Sequence, residues 1–147
     1  MSSSAARKKF LVPFNFSRKS EMALDFALRY GAHIEVDIYM FHVFEGKAGD
    51  FRKLDRQNEE YLERMKLTVN QWVERAAQEG INAQAHDVHR RVANGKPGLE
   101  ILKMAGGINA DMIIMGAPTS FGFRRLLTKT PCTTVLVKDK DAGFVVA

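Results

Sequence analysis

Asp111-Met-Ile-Ile-Met-Gly116 is the stretch on which the fold turns. Met112 to Met115 is apolar at every position, as a strand covered on both faces in the middle of a parallel sheet must be. Gly116 then opens a loop containing glycine, proline and serine that runs to Gly122. Toward the C-terminus a short basic and apolar segment, Phe123 to Thr130, leads to Thr133-Thr-Val-Leu-Val137, which reads as a fifth strand and the end of regular structure. Toward the N-terminus, Leu99, Leu102 and Ala105 form the buried stripe of a helix that Pro97 opens and Gly106-Gly107 stops. Residues 81–92 hold the weakest strand signal, since Ala83, Ala85 and His89 supply little bulk. From Phe51 to Glu79 the positions Leu54, Tyr61, Leu62, Met65, Val69, Trp72, Val73 and Ala76 keep a helical period, and Gly80 follows the last turn. Glu35 to Phe44 is β-branched and aromatic and reads as a strand, as does the run Phe10-Leu-Val-Pro13. Between them a helix capped by Asn15 or Ser17 carries Met22, Ala23, Phe26, Ala27 and Tyr30 inward and ends at Gly31.

Strands alternating with helices give an α/β fold with a mostly parallel sheet covered on both faces. Residues 1–8 are small, polar and basic and read as a disordered leader, residues 9–138 as one domain, and residues 139–147 as a C-terminal tail. The 147 residues suffice for a core without staples, and the single Cys132 makes no internal disulfide. A net charge of +5 from 22 basic and 17 acidic residues is too modest and dispersed for a dedicated nucleic-acid protein. No apolar run approaches the roughly 20 residues that cross a bilayer, and the first residues lack a signal-peptide core, so the expectation is a cytoplasmic protein without membrane partners. Sheets of this kind bind ligands beyond the carboxyl ends of their strands, which nominates residues 13–17, 43–46 and 116–122.

Phe10-Leu-Val-Pro-Phe-Asn-Phe-Ser17, Phe41-His-Val43, Gly95-Lys-Pro97, Ala110-Asp-Met-Ile-Ile-Met-Gly116 and Pro131-Cys-Thr-Thr-Val-Leu-Val137 together resemble, in order and spacing, the universal stress protein family. The resemblance spans residues of about 8–138, and it implies a Rossmann-like sheet of five parallel strands in the order 3-2-1-4-5 with four helices. It also implies a cytoplasmic homodimer built around the last strand. Members divide into those that bind ATP and those that do not.

The nucleotide-binding members carry Gly, two residues, Gly, nine residues, Gly and then Ser or Thr. Laid on this chain, that pattern meets Gly116, Thr119, Lys129 and Thr130, so one glycine of three is kept. Glycine serves there to let bare N–H groups approach phosphate oxygens, and a β-branched residue obstructs that approach. In the family about nine further helical residues precede the Pro-Cys of the final strand. Here Pro131 follows Thr130 directly, so the final helix is expected to be shortened or missing and the phosphate site degraded. The alternative is an ATP or AMP ligand, with Pro13, Asn15, Val43, Val92 and Gly116 matching positions around the family's base and ribose, Ser17 a further ligand group, and Arg124, Lys129 and Thr130 replacing the lost backbone donors on the phosphates.

Simpler readings stand beside these. Asn15 and Ser17 serve equally as helix caps, and residues 116–122 as an ordinary strand-to-helix connection. His86 and His89, three apart on a strand, face opposite ways and cannot share a metal. No nucleophile elbow, Cys-His pairing or zinc spacing is present, so no enzyme chemistry is expected. Arg124, Arg125 and Lys129, interleaved with Phe121, Phe123, Leu126 and Leu127, form a basic patch for a phosphate, a nucleic-acid backbone or an acidic protein, or simply a solvated face. The apolar end Phe144-Val-Val146 suits docking on a partner protein. A fifth strand with a free edge predicts a homodimer through residues 133–137.

Overall fold

A computed structural model describes residues 7–46, 51–84, 87–118, 121–130, 132–137 and 144–146. The elements are β1 (Lys8–Pro13), α1 (Arg18–Gly31), β2 (Val36–Phe44), α2 (Phe51–Gln78), β3 (Val88–Asn94), α3 (Pro97–Ile108), β4 (Met112–Gly116), α4 (Phe121–Leu127), β5 (Thr133–Val137) and β6 (Phe144–Val146). They form one sheet in the order β3-β2-β1-β4-β5-β6. The first five strands are parallel in the expected order, and β6 adds an antiparallel edge beside β5.

Strand parity divides the core into two layers. Phe10 and Val12 of β1, Ile38 and Met40 of β2 and Ile114 of β4 face α1 and α2, meeting Ala23, Leu24, Ala27, Leu28, Met65 and Val69. Leu11, Phe41, Ile113, Met115 and Leu136 face α3 and α4, meeting Ile101, Ala105 and Leu127. Strands buried on both sides read as continuous apolar runs, which is why β4 carries no alternation. Strand order reverses between β1 and β4, whose carboxyl ends lie at Pro13 and Gly116.

Several boundaries differ from the sequence reading for physical reasons. Lys8, assigned to the leader by its polarity, is the first residue of β1, and the Arg7 guanidinium beside it donates to Val36 O at 2.7 Å. Strand β3 begins at Val88, where parallel pairing with Ile38 starts, and runs on to Asn94; Ala83 packs against the core before any strand forms. Helix α3 does not stop at Gly106-Gly107 but continues to Ile108, which packs against the second layer. Its left-handed cap is Asn109, at φ 54° and ψ 54°, a conformation that asparagine tolerates unusually well. The helix after β4 is not missing: α4 makes seven residues, about two turns.

Regular structure does not end at Val137. Residues Phe144, Val145 and Val146 pair antiparallel with Val137, Leu136 and Val135. The β5 edge expected to meet a second copy is therefore covered by this chain's own C-terminal segment, and a homodimer through β5 requires β6 to leave. Among the described residues, no helix is long and apolar enough to cross a membrane.

Candidate functional site

Beyond the ends of β1 and β4 lies a cavity of about 420 Å³, within the range of small-molecule sites. Its floor and walls are apolar: Pro13, Phe41, Val43, Pro97, Ile101, Met115 and Phe123. Its polar corner is built by Asn15, Ser17, Lys19 and Ser20, where the chain turns from β1 into α1. This is where the reversal of strand order opens the sheet, because α1 leaves β1 on one face and α3 covers the other.

The polar corner is largely satisfied from within. Ser17 is the N-cap of α1, its side chain accepting from Ser20 N at 3.2 Å. Asn15 Oδ1 accepts from Ser17 N at 3.1 Å and from the Ser17 hydroxyl. Ser20 Oγ donates to Ser17 O at 2.9 Å. These groups hold the turn in place, so the capping role accounts for both Asn15 and Ser17. The cation among the cavity's lining residues is Lys19, whose ammonium lies a long 3.4 Å from Ala117 O.

Next to β4 the described main-chain donors are committed. Ala117 N donates to Val137 O at 2.9 Å, and Pro118 has no N–H. At the far end of α4, Thr128 N, Lys129 N and Thr130 N donate to Arg125 O, Leu126 O and Leu127 O at 3.3, 3.0 and 3.3 Å. The Thr130 hydroxyl lies 3.3 Å from Leu127 O and 3.1 Å from Cys132 O, closing the turn rather than facing the cavity. Lys129 is exposed and does not line the cavity, and Thr119 lies outside the described residues.

Gly116 lines the cavity, yet packing demands its glycine. A Cβ there would sit 2.5 Å from Lys19 Cβ and 3.1 Å from Lys19 C, so α1 crosses too close for any side chain. The sequence reading offered phosphate approach or an ordinary strand-to-helix connection for the same glycine. Val92 is also displaced: it pairs with His42 and packs on the α1/α2 layer, whereas Val43 pairs with Ala93 and faces the cavity side. The structure therefore brings together Pro13, Asn15, Ser17, Val43 and Gly116, and leaves Val92, Lys129 and Thr130 outside the cavity. Sequence reasoning missed Lys19, Phe41, Ile101 and Phe123. The i to i+2 spacing from Ser17 to Lys19 and the strand alternation linking Val43 to Phe41 were the available signals.

Elsewhere, His89 pairs through Nε2 with Asp37 at 3.1 Å, and His86 lies outside the described residues. Among the described residues, no group of three or more metal-ligating side chains is assembled. Arg90 is tied to Leu62 O at 2.7 Å on the α2 side, while Arg91 stands over the Tyr39 ring at 5.7 Å. Arg90 thus does not extend the basic patch of α4. Arg125 is exposed; the Arg124 side chain lies outside the described residues.

The sequence model described as Universal stress protein family matches residues 6–138. A universal stress protein UspA from Lactobacillus plantarum superposes with a TM-score of 0.58 at 17% identity, covering 90% of this chain and 99% of that one. A universal stress protein in complex with cAMP gives 0.67 at 17% identity, covering 90% and 98%. A family protein from Arabidopsis thaliana with AMP bound gives 0.58 at 14% identity, covering 91% and 93%. At these identities the solved structures establish the fold. No curated protein matches the chain.

Proposed function

Because the chain belongs to the universal stress protein family, we propose that it is a non-catalytic regulatory binding module whose cavity takes a nucleoside or nucleoside monophosphate and has lost the grip on a polyphosphate. The observation that carries this reading is the commitment of main-chain donors. Ala117 N is bonded to Val137 O, Pro118 has none, and the amides of residues 128–130 close the end of α4. A triphosphate needs several such donors together, whereas one ammonium, that of Lys19, matches one phosphate. The apolar walls at Phe41, Val43, Ile101 and Phe123 suit the flat face of a base, and 420 Å³ accommodates a nucleoside. Solved relatives with AMP and cAMP bound support that ligand class.

Calorimetry with adenosine, AMP and ATP tests the reading. The expected result is binding of all three with dissociation constants within about fivefold, since the β- and γ-phosphates find no donor at Ala117, at Pro118 or at residues 128–130. ATP bound about a hundredfold more tightly than AMP would establish the alternative, an ATP-dependent regulator, in place of this one.

Association completes the proposal. The chain acts through a protein partner or a second copy, and β6 governs access to the β5 edge that a homodimer would use. Truncation after Val137 removes that cover. Light scattering is expected to show a shift toward twice the monomer mass in the truncated chain relative to the full one; an unchanged mass would remove β5 as the interface.

A further inference from the structure

We infer that His42 is a proton-operated latch on residues 14–17, holding that segment against the sheet while the imidazole is neutral and releasing it when a second proton binds. The inference concerns regulation of the cavity and rests on reading that cavity as the binding site.

The geometry is that of a latch with two points of contact. His42, on β2, is 7% exposed and turned toward the α1/α2 face. Its Nδ1 lies 2.8 Å from Phe14 O; a carbonyl only accepts, so Nδ1 carries the proton of the neutral ring. The same ring meets Phe16 edge-on at a centroid distance of 5.0 Å. Phe16 has φ 63°, a backbone conformation that a bulky residue holds only when its surroundings impose it. Those surroundings are Phe14 at 5.0 Å, Tyr61 at 5.9 Å and the Arg64 guanidinium 4.0 Å above the Phe16 ring. Asn15 and Ser17, which alternate with these two phenylalanines, line the cavity.

Nothing in this packing accommodates a second proton. Nε2 is buried and, among the described residues, has no hydrogen-bond partner. Protonation would make it a buried donor facing Tyr61, whose ring centroid is 4.3 Å away, and would add a positive charge near Arg64. From α2 the ring is thus faced by Tyr61 and Arg64. From β3 it is paired with Val92, with Arg90 on the same sheet face tied to Leu62 O, and from the segment itself come Phe14 and Phe16. Among the described residues, no carboxylate pairs with it. Burial pushes the His42 pKa below its ordinary value; the hydrogen bond to Phe14 opposes this and the charge of Arg64 adds to it. Because the unfolded chain binds this proton more readily than the folded one, stability rises with pH. The latch's contribution is complete above about 6.5 and is lost as pH falls from there toward the folded pKa.

Amide and imidazole NMR shifts of the ligand-free protein between pH 7.5 and 5 test the latch. The amides of residues 14–17 are expected to shift together with the His42 ring at a midpoint below about 6.5. His42→Phe should abolish that transition, and Arg64→Gln, which keeps the imidazole, should raise its midpoint. Amides that stay fixed while the ring titrates, or a midpoint unmoved in Arg64→Gln, would overturn the inference. Adenosine added to the same samples is expected to bind about tenfold more weakly one pH unit below the midpoint. Adenosine binding with fixed 14–17 amides overturns the latch alone. Amides that move with no adenosine binding at any pH support the latch and overturn the reading of the cavity.

Discussion

Phe41→Ala is expected to lower the stability of the fold by about 3 kcal/mol, toward the lower end of what burying and then deleting a phenyl ring costs. Phe41 is 2% exposed and lies on β2 between Pro13 of β1 and Arg91 of β3. Its ring packs in the layer of Leu11, Ile101, Ile113 and Met115 and also walls the cavity. That second role sets the magnitude. A void closed on all sides loses its contacts outright, whereas one that opens into an existing cavity admits water, so the transfer term remains and the cavity term shrinks. The midpoint of thermal unfolding should fall by about 6–12 °C for a domain of this size. Its carbonyl, which accepts from Phe14 N at 2.7 Å, is untouched, so the turn into α1 should survive in the variant. Circular dichroism melts of the two proteins measure the difference. A loss below about 1 kcal/mol would show that the ring is not part of the core.

The sequence was most legible where one local rule acted without competition. Thr133–Val137 and the start of α1 after Ser17 read correctly because β-branched bulk and a capping hydroxyl are local signals. Strand β3 was misplaced because its position is fixed by the partner: Val88 pairs with Ile38 seven residues after residue 81, and no local signal in 81–87 records that. The misassignment of Val92 has the same origin, since its face depends on register, and a register offset of one turns a side chain through the sheet. At Gly106-Gly107 helix-breaking propensity lost to burial of Ile108, an ordinary tertiary override. Strand β6 was hidden by the charged stretch before it, because an edge strand of three residues has no periodicity of its own. Asn15, Ser17 and Gly116, singled out in the sequence, all line the cavity, and all three are explained by how the turn and α1 are held. For a phosphate site the sequence offered one argument, the two family glycines replaced by Thr119 and Lys129. The structure adds that Ala117 N is bonded to Val137 O and the amides of residues 128–130 to the α4 turn.

Gly116→Ala is expected to cost about 1–3 kcal/mol in the absence of any ligand, the range for forcing extra volume into a well-packed contact. Of the three nearest atoms, one is Lys19 Cβ at 2.5 Å and two are Lys19 backbone atoms, C at 3.1 Å and O at 3.3 Å. A flexible side-chain end would swing aside, but backbone of α1 does not, so the helix itself must shift. That shift moves Ser17 and Lys19, and with them the polar corner of the cavity. Lost nucleotide affinity in this variant would therefore report displaced packing, and cannot by itself be read as a lost phosphate contact. A double-mutant cycle separates the two. Lys19→Gly costs about 1 kcal/mol through helix propensity, yet it removes the Cβ at 2.5 Å, so combined with Gly116→Ala the losses should be less than additive. Denaturant melts of the four ligand-free proteins give the coupling. Strict additivity, or a Gly116→Ala protein as stable as the parent, would mean that α1 yields freely and that the glycine is kept for what enters the cavity.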